Sequence, residues 1–358
     1  MSASMTRKAF LSSMALAALG LAACGSSQVG ETKQDTTGAD TTKAVYDMTE
    51  EEEQAAWEKE PRHDTEINIG YGGGLCLGAF GIAKSQGFYD AEGLKVNIMN
   101  VESKIDAVGT GKVDVIGTHI ASLLVSALND VPMTFTLGLH SGCKSMYTLA
   151  DSEFKSTSDL AGKTVAIPEG VGSADHNIAM RFFSRDDIDP NDIEWKQVAK
   201  DACPQALQNG EVQAAILEDQ FAQPLVQQGL INYVRSLTYD DDFNVEPCCI
   251  LAFNREFMKE NPVTVKKYTR AIEKAGEWIQ ENTEQALEQM FENNWASGDK
   301  GDDLELMNAF DYTITEQRTK DSLLDVISDY QKFGIVDSSL KPDDVLAQVW
   351  APVLGKVD

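Results

Sequence analysis

The sequence predicts an α/β protein of two similar lobes, each a mostly parallel sheet with flanking helices, followed by a helical C-terminal tail. Three observations predict it. The chain has 358 residues, more than one hydrophobic core usually organises. A weak internal repeat runs at an offset of 98–99 residues, with strand and helix signals alternating inside each copy. From about residue 255 the strand signals give way to helical spacing.

Each element follows from local chemistry. Ala107-Val-Gly-Thr-Gly111-Lys-Val-Asp-Val-Ile116 aligns with Ala206-Leu-Gln-Asn-Gly210-Glu-Val-Gln-Ala-Ala215. In both, a helix ends on a Gly at C′, where a left-handed backbone is needed, and an apolar strand begins two residues later. Leu94–Ile98 matches Ile193–Gln197 as a strand, and Ile67–Gly72 matches Val165–Gly170. Each unit therefore reads strand, Gly-containing turn, helix, strand, helix, strand, which implies parallel pairing with right-handed crossovers. In the tail, Asn261-Pro262 starts a helix whose apolar residues Val265, Tyr268, Ile272, Ala275 and Ile279 share one face. Further helices are predicted near 283–295, 302–312, 315–333 and 342–350, packed on the first lobe.

Composition narrows the function classes. Lys and Arg number 30 against 57 Asp and Glu, a formal charge of −27. That balance argues against a nucleic-acid partner, which needs a basic surface to displace counterions, and suits a monomer kept apart by self-repulsion. Four His and six Cys are too few for a dense metal or disulfide framework.

The N-terminus reads as an address. Arg7 and Lys8 precede an apolar run from Ala9 to Ala23, too short for a comfortable membrane span. The run ends in Leu21-Ala22-Ala23-Cys24-Gly25. This stretch resembles a bacterial lipoprotein signal with its lipobox. The resemblance implies removal of residues 1–23, lipidation of Cys24, and an extracytoplasmic protein anchored to the cell membrane through that residue. Residues 24–62 are polar and acidic and read as a flexible tether. Within them Thr49 and Glu52 form a capping-box pattern for a short helix reaching Lys59 and ended by Pro61. The first lobe is assigned 63–146 and 250–358, and the second 147–249.

Two such lobes leave a cleft, and ligands of such sheets sit beyond the carboxyl ends of the strands, near helix N-termini. The turns there supply the expected ligand-binding residues: Gly73, Gly74, His119 and His140 from the first lobe, and Gly172, Ser173, Asp175 and Glu218 from the second. Glycines let backbone approach a ligand, and Ser173 beside a helix N-terminus suits an anionic or polar group. His119 and Glu218 occupy equivalent places in the repeat and should face each other. Together these groups favour a small zwitterionic or heteroaromatic organic solute over a simple oxyanion.

The stretches Ile82–Val96, Gly111-Lys-Val-Asp-Val115, Asp159–Ile167, Gly210-Glu-Val-Gln-Ala214 and Phe253-Asn-Arg-Glu-Phe257 carry a family resemblance. Over about residues 66–280 the chain resembles the substrate-binding proteins of ABC importers for nitrate, sulfonates, taurine and thiamine precursors. The resemblance implies a type II periplasmic-binding-protein fold and a non-enzymatic role. A small-molecule solute would be passed to an ABC permease and its ATPase subunits, with no cofactor. It also implies two crossing segments, near Gly142–Leu149 and Pro247–Phe253. They bring Cys143 close to Cys248 and Cys249, so a structural disulfide is expected there.

Two alternatives use the same residues. His119, His140, Cys143 and Cys76 map to strand ends or the crossover, and imidazole with thiolate suits a soft metal ion or cofactor. A thiamine-precursor synthase subgroup shares the fold and has a Cys-rich loop about where Cys248-Cys249 lies. Its longer cysteine run is absent here. No G-x-S-x-G, H-E-x-x-H or G-x-x-x-x-G-K-[ST] pattern occurs.

Overall fold

In a computed structural model of the chain, residues 44–357 are described. The expected signal segment, residues 1–23, and Cys24 lie outside the described residues. Among the described residues the strands are β1 (Glu66–Gly70), β2 (Lys95–Met99), β3 (Val115–His119), β4 (Met133–Ser141), β5 (Lys144–Leu149), β6 (Thr164–Ala166), β7 (Glu194–Lys196), β8 (Ala214–Glu218), β9 (Ile231–Ser236) and β10 (Pro247–Asn254). They form two five-stranded sheets of orders β2-β1-β3-β10-β4 and β7-β6-β8-β5-β9.

The internal repeat is visible as the parallel trios β2-β1-β3 and β7-β6-β8. The helices Lys104–Gly109 and Cys203–Gln208 precede the third strand of each trio. Gly111 and Gly210 sit just past them at φ +71° and +70°, the left-handed conformation expected of both.

Each sheet also holds one strand that opposes the other four. In the first it is β10, antiparallel to β3 and β4; in the second it is β5, antiparallel to β8 and β9. These are the strands by which the chain arrives from the other sheet. It enters from the cleft side, where the parallel strands end, so it must run against them. The outward crossing is only Gly142-Cys143, since β4 ends at Ser141 and β5 begins at Lys144. The return crossing spans residues 237–246.

The predicted tail is present as the helices Pro262–Glu281, Thr283–Glu292, Lys300–Ala309, Glu316–Lys332 and Pro342–Val349. The five apolar residues expected on the inner face of the first of these are all buried. Trp350 closes the tail on β4, its indole N–H donating to the Thr136 carbonyl at 2.8 Å. The tail is not confined to the first lobe, however. Asp329 pairs with Arg181 of the second lobe at 2.9 Å, and Asp303 accepts from Gln220 at 3.0 Å.

The capping box at Thr49 forms as expected, opening the helix Glu50–Trp57. The stretch from Val45 to Arg62 nevertheless differs from a free tether. Trp57 donates to Thr264 at 3.1 Å, and Glu53 pairs with Lys266 and Arg270, both at 2.7 Å. An indole and charge complementarity to the helix Pro262–Glu281 hold this acidic segment on the body. Among the described residues no helix is long and apolar enough to cross a membrane.

Candidate functional site

The carboxyl ends of the parallel strands from both sheets converge on a cavity of about 260 Å³. Its lining includes Gly73, Gly74, Cys76, Lys104, Thr118, His119, Cys143, Glu169, Glu218, Gln220 and Cys249, with Leu306 and Phe310 from the tail. A larger groove of about 810 Å³ runs past the end of β4 at Ser141, and charged residues of its walls are occupied with one another, Arg318 by Asp311 and Arg185 by Glu246.

His119 and Glu218 sit in this cavity at matching positions. His119 ends β3 and precedes the helix Ile120–Leu128; Glu218 ends β8 and precedes the helix Asp219–Gln227. Glu218 pairs with Lys200 at 3.2 Å. Burial works against its charge, but Lys144 and Lys200 hold its carboxyl below the ordinary value. Lys104, which the sequence reading missed, donates to the Gly117 carbonyl at 3.4 Å and brings an ammonium to the cavity wall. Glu169, Gln220 and the tail residues were missed as well. Lys104 follows the Ser103 N-cap of its helix, and that cap was the one local signal pointing there.

Gly73 and Gly74 line the cavity at φ +108° and +113°. A Cβ on Gly73 would meet the Trp295 carbonyl oxygen at 2.7 Å, so only glycine fits.

Gly172, Ser173 and Asp175 do not line the cavity. The backbone amides expected to meet a ligand there are used by the protein itself. Gly172 N–H donates to His176 Nδ1 at 3.1 Å, and Glu169 N–H donates to Asp175 Oδ2 at 2.9 Å. Ser173 caps its own helix, accepting from His176 N–H at 3.4 Å. Asp175 also pairs with the buried Lys144 at 2.5 Å. Burial opposes the charge of Lys144, yet Asp175 and Glu169 hold it protonated.

His140 is fully buried behind the cavity wall, against Phe310 and Tyr312. It belongs instead to a knot of imidazoles and thiols that the sheet register assembles. Cys249 of β10 stands opposite His119 of β3 on one side and His140 of β4 on the other. Register shifts on either side of Cys249 mark a bulge in the β10–β4 pairing, a local irregularity that lets neighbouring residues depart from strict alternation. Cys248 thus reaches the same knot, 3.1 Å from His119 Nδ1 and 3.1 Å from Cys143 Sγ.

Cys143 comes from the outward crossing at φ +98°, a conformation a non-glycine residue rarely adopts. Its N–H donates to Thr238 Oγ1 and its carbonyl accepts from Asp219 N–H, each at 2.9 Å. Cys143 and Cys248 are thus adjacent, although Cys248 lies on β10 and not on a crossing: the segment Pro247–Phe253 expected to cross is strand, and the chain returns through 237–246. Where a disulfide was expected, Cys143, Cys248 and Cys249 are free thiols, as are Cys76 and Cys203.

Burial disfavours thiolates here and pushes the Cys143 and Cys248 thiols well up. Cys249 is the exception. Burial opposes its ionisation, but hydrogen bonds from Cys143, Cys248 and Cys76 bring it well below the usual thiol value. Burial likewise opposes a charged His140, while Cys249 and Cys76 beside it push it up to about 10.

Comparisons with known proteins place this geometry. No curated protein matches the chain in sequence. Among solved structures, one similar fold is the alkanesulfonate-binding protein SsuA from Xanthomonas axonopodis pv. citri bound to MOPS. Its TM-score is 0.63 at 12% identity, over 80% of this chain and 98% of that one. Another is the ligand-binding component of an ABC-type import system from Staphylococcus aureus with zinc bound. Its TM-score is 0.65 at 13% identity, over 81% and 97%. A third is the periplasmic nitrate-binding protein NrtA from Synechocystis PCC 6803, with a TM-score of 0.64 at 13% identity, over 80% and 86%. At such identities the likeness is one of fold, the two-lobed periplasmic-binding-protein architecture. The family model described as NMT1/THI5 like matches residues 78–286, more than half of the sequence, and the chain belongs to that family.

Proposed function

We propose that this protein is the extracytoplasmic solute-binding component of an ABC importer, lipid-anchored through Cys24, and not an enzyme. It closes two lobes around a small organic solute and presents it to a permease. The observation that carries this reading is the cavity between the two sheets, walled by the equivalent strand-end residues His119 and Glu218. Strand ends that converge on a small pocket with few polar groups form the usual ligand site of such sheets.

The lining also bears on the solute class. Lys104 offers a cation to one part of a ligand, and Glu169 with Glu218 offers carboxylates to another. A zwitterion of modest size, such as an aminosulfonate or a thiamine-precursor-like heterocycle, satisfies both. Gly73, Gly74, Lys104, His119, Glu218 and Gln220 are the proposed contacts.

Native mass spectrometry of protein purified from its own host tests the reading. A small solute should be released unchanged on denaturation, and Lys104→Ala with His119→Ala should bind that solute more weakly without loss of fold. Release of a converted product would favour a synthase-like enzyme instead. For the anchor, Cys24→Ala should shift the protein from the membrane to a soluble extracytoplasmic fraction; full membrane retention would overturn it.

A further inference from the structure

The imidazole–thiol knot is the most distinctive chemistry in the molecule, and binding a polar solute does not require it. His119 Nδ1 and the sulfurs of Cys143, Cys248 and Cys249 all lie within 4.8 Å of one another. The closest pairs are 3.1 Å apart, and His119 Nδ1 lies 3.8 Å from Cys143 Sγ and 3.9 Å from Cys249 Sγ. A tetrahedral ion at ordinary metal–sulfur and metal–nitrogen distances has ligand–ligand edges of about 3.5–3.8 Å. The four atoms therefore surround a centre of the right size with only small adjustments.

A second set shares one of these ligands. Cys76, His140 and Cys249 also lie within 4.8 Å of one another. His140 is held in the manner of a metal ligand. Its Nδ1–H donates to the Ser141 carbonyl at 2.9 Å, so an ion would bind at Nε2 in exchange for any proton held there. That Nε2 is buried and has no hydrogen-bond partner among the described residues. A buried polar atom left open in this way is unusual in a packed protein.

The backbone supports the same reading. Cys143 carries its thiol into the knot at φ +98°, a conformation that non-glycine residues rarely adopt and that clusters at functional sites. Cys248 and Cys249 reach the knot together at the bulge. No carboxylate belongs to either set.

We propose that this knot is a binding site for a soft, thiophilic d10 cation, Zn(II) or Cu(I). His119, Cys143, Cys248 and Cys249 supply four ligands, and Cys76 with His140 extends the site through the shared Cys249. Each coordinating thiol gives up its proton to solvent as the ion binds. Thiolate and imidazole donors select such ions over magnesium or calcium. Cys76, His119, Cys143 and Cys249 also line the solute cavity, so the ion would sit at its floor, open to a solute on one side.

The test uses the detergent-solubilised, lipidated protein, reduced and stripped with chelator. Zn(II) and, anaerobically, Cu(I) are each titrated against a chromophoric chelator. At least one equivalent of one ion should bind, and the two arms decide which. Cys248→Ser and His119→Ala should each weaken binding by 10-fold or more, while Cys203→Ser, remote from the knot, should leave it unchanged. Because a ligand variant can misfold, the unmodified protein is also loaded with Co(II), which should show sulfur-to-cobalt charge-transfer absorption. The proposal is overturned if neither ion competes with the chelator or if Co(II) gives no such band. It is equally overturned if alkylation of protein taken directly from cells finds Cys143 and Cys248 joined as a disulfide. None of these results bears on whether a solute fills the cavity, which is read by release of that solute.

Discussion

Asp303 shows how one residue can tie the lobes together at an electrostatic cost. It projects from the helix Lys300–Ala309, accepts from Gln220 across the cleft, and leaves Oδ2 buried without a partner among the described residues. Burial first, then the nearby Asp302 and Asp299, raises its carboxyl to about 6. The folded state therefore prefers the protonated form, and the stability this contributes is complete below about 4, the unfolded value. It is lost as pH rises through about 6. Asp303→Asn imitates the protonated form at every pH. Thermal melts should find that variant more stable than the parent above pH 6, by on the order of 1–3 kcal/mol, and equal to it below pH 4. A gap of the same size at both ends would show that Asp303 titrates normally.

At the scale of elements, the instructive case is the long helix Pro262–Glu281, whose N-terminus is capped from far away in sequence. Proline opens it, and Asn261 makes no side-chain cap bond. Glu60 does that work instead, accepting from Val263 N–H at 2.6 Å, Thr264 N–H at 2.9 Å and Thr264 Oγ1 at 2.7 Å. A carboxylate on free helix amides also complements the helix dipole. Glu60→Ala should lower the denaturation free energy by about 1–3 kcal/mol, as loss of a cap with buried donors does. An unchanged urea midpoint would mean that the 44–62 segment rests on the body without stabilising it.

Among the described residues the two lobes are joined by a shared apolar cluster and by several buried polar contacts. The buried Arg181 carries two of the polar contacts, bonded to Glu246 of the return crossing at 2.8 Å and to Asp329 of the tail at 2.9 Å. Asn177 adds a hydrogen bond to the Ala121 carbonyl at 2.9 Å. Arg181→Ala removes one cation from each of two buried carboxylates, leaving Arg185 on Glu246 and Lys332 on Asp329, both at 3.0 Å, and should destabilise the fold by about 1–3 kcal/mol. The conservative Asn177→Ala should mainly favour opening. A ligand can shift opening and closing only through better contacts with the closed form. Small-angle scattering should therefore give a smaller radius for the parent at saturating cognate solute, and a larger radius for solute-free Asn177→Ala. An unchanged radius in both comparisons would rule out closure as the binding mechanism.

Local pattern alone determined the repeat, the helical tail, the left-handed glycines at 111 and 210, the Thr49 capping box and the equivalence of His119 with Glu218. All of these rest on spacing and backbone preference within a few residues, and such preferences survive folding. The opposed strands, the docking of the 44–62 segment and the contact of the tail with both lobes needed tertiary structure. So did the self-occupied amides around Ser173, because a helix N-terminus reads the same whether a ligand or the protein's own Asp175 and His176 fill the turn. The thiol knot lay between the two. Its members stood out as chemistry in the sequence, but only the pairing of β3, β10 and β4, with the bulge beside Cys249, decided that they share one point in space.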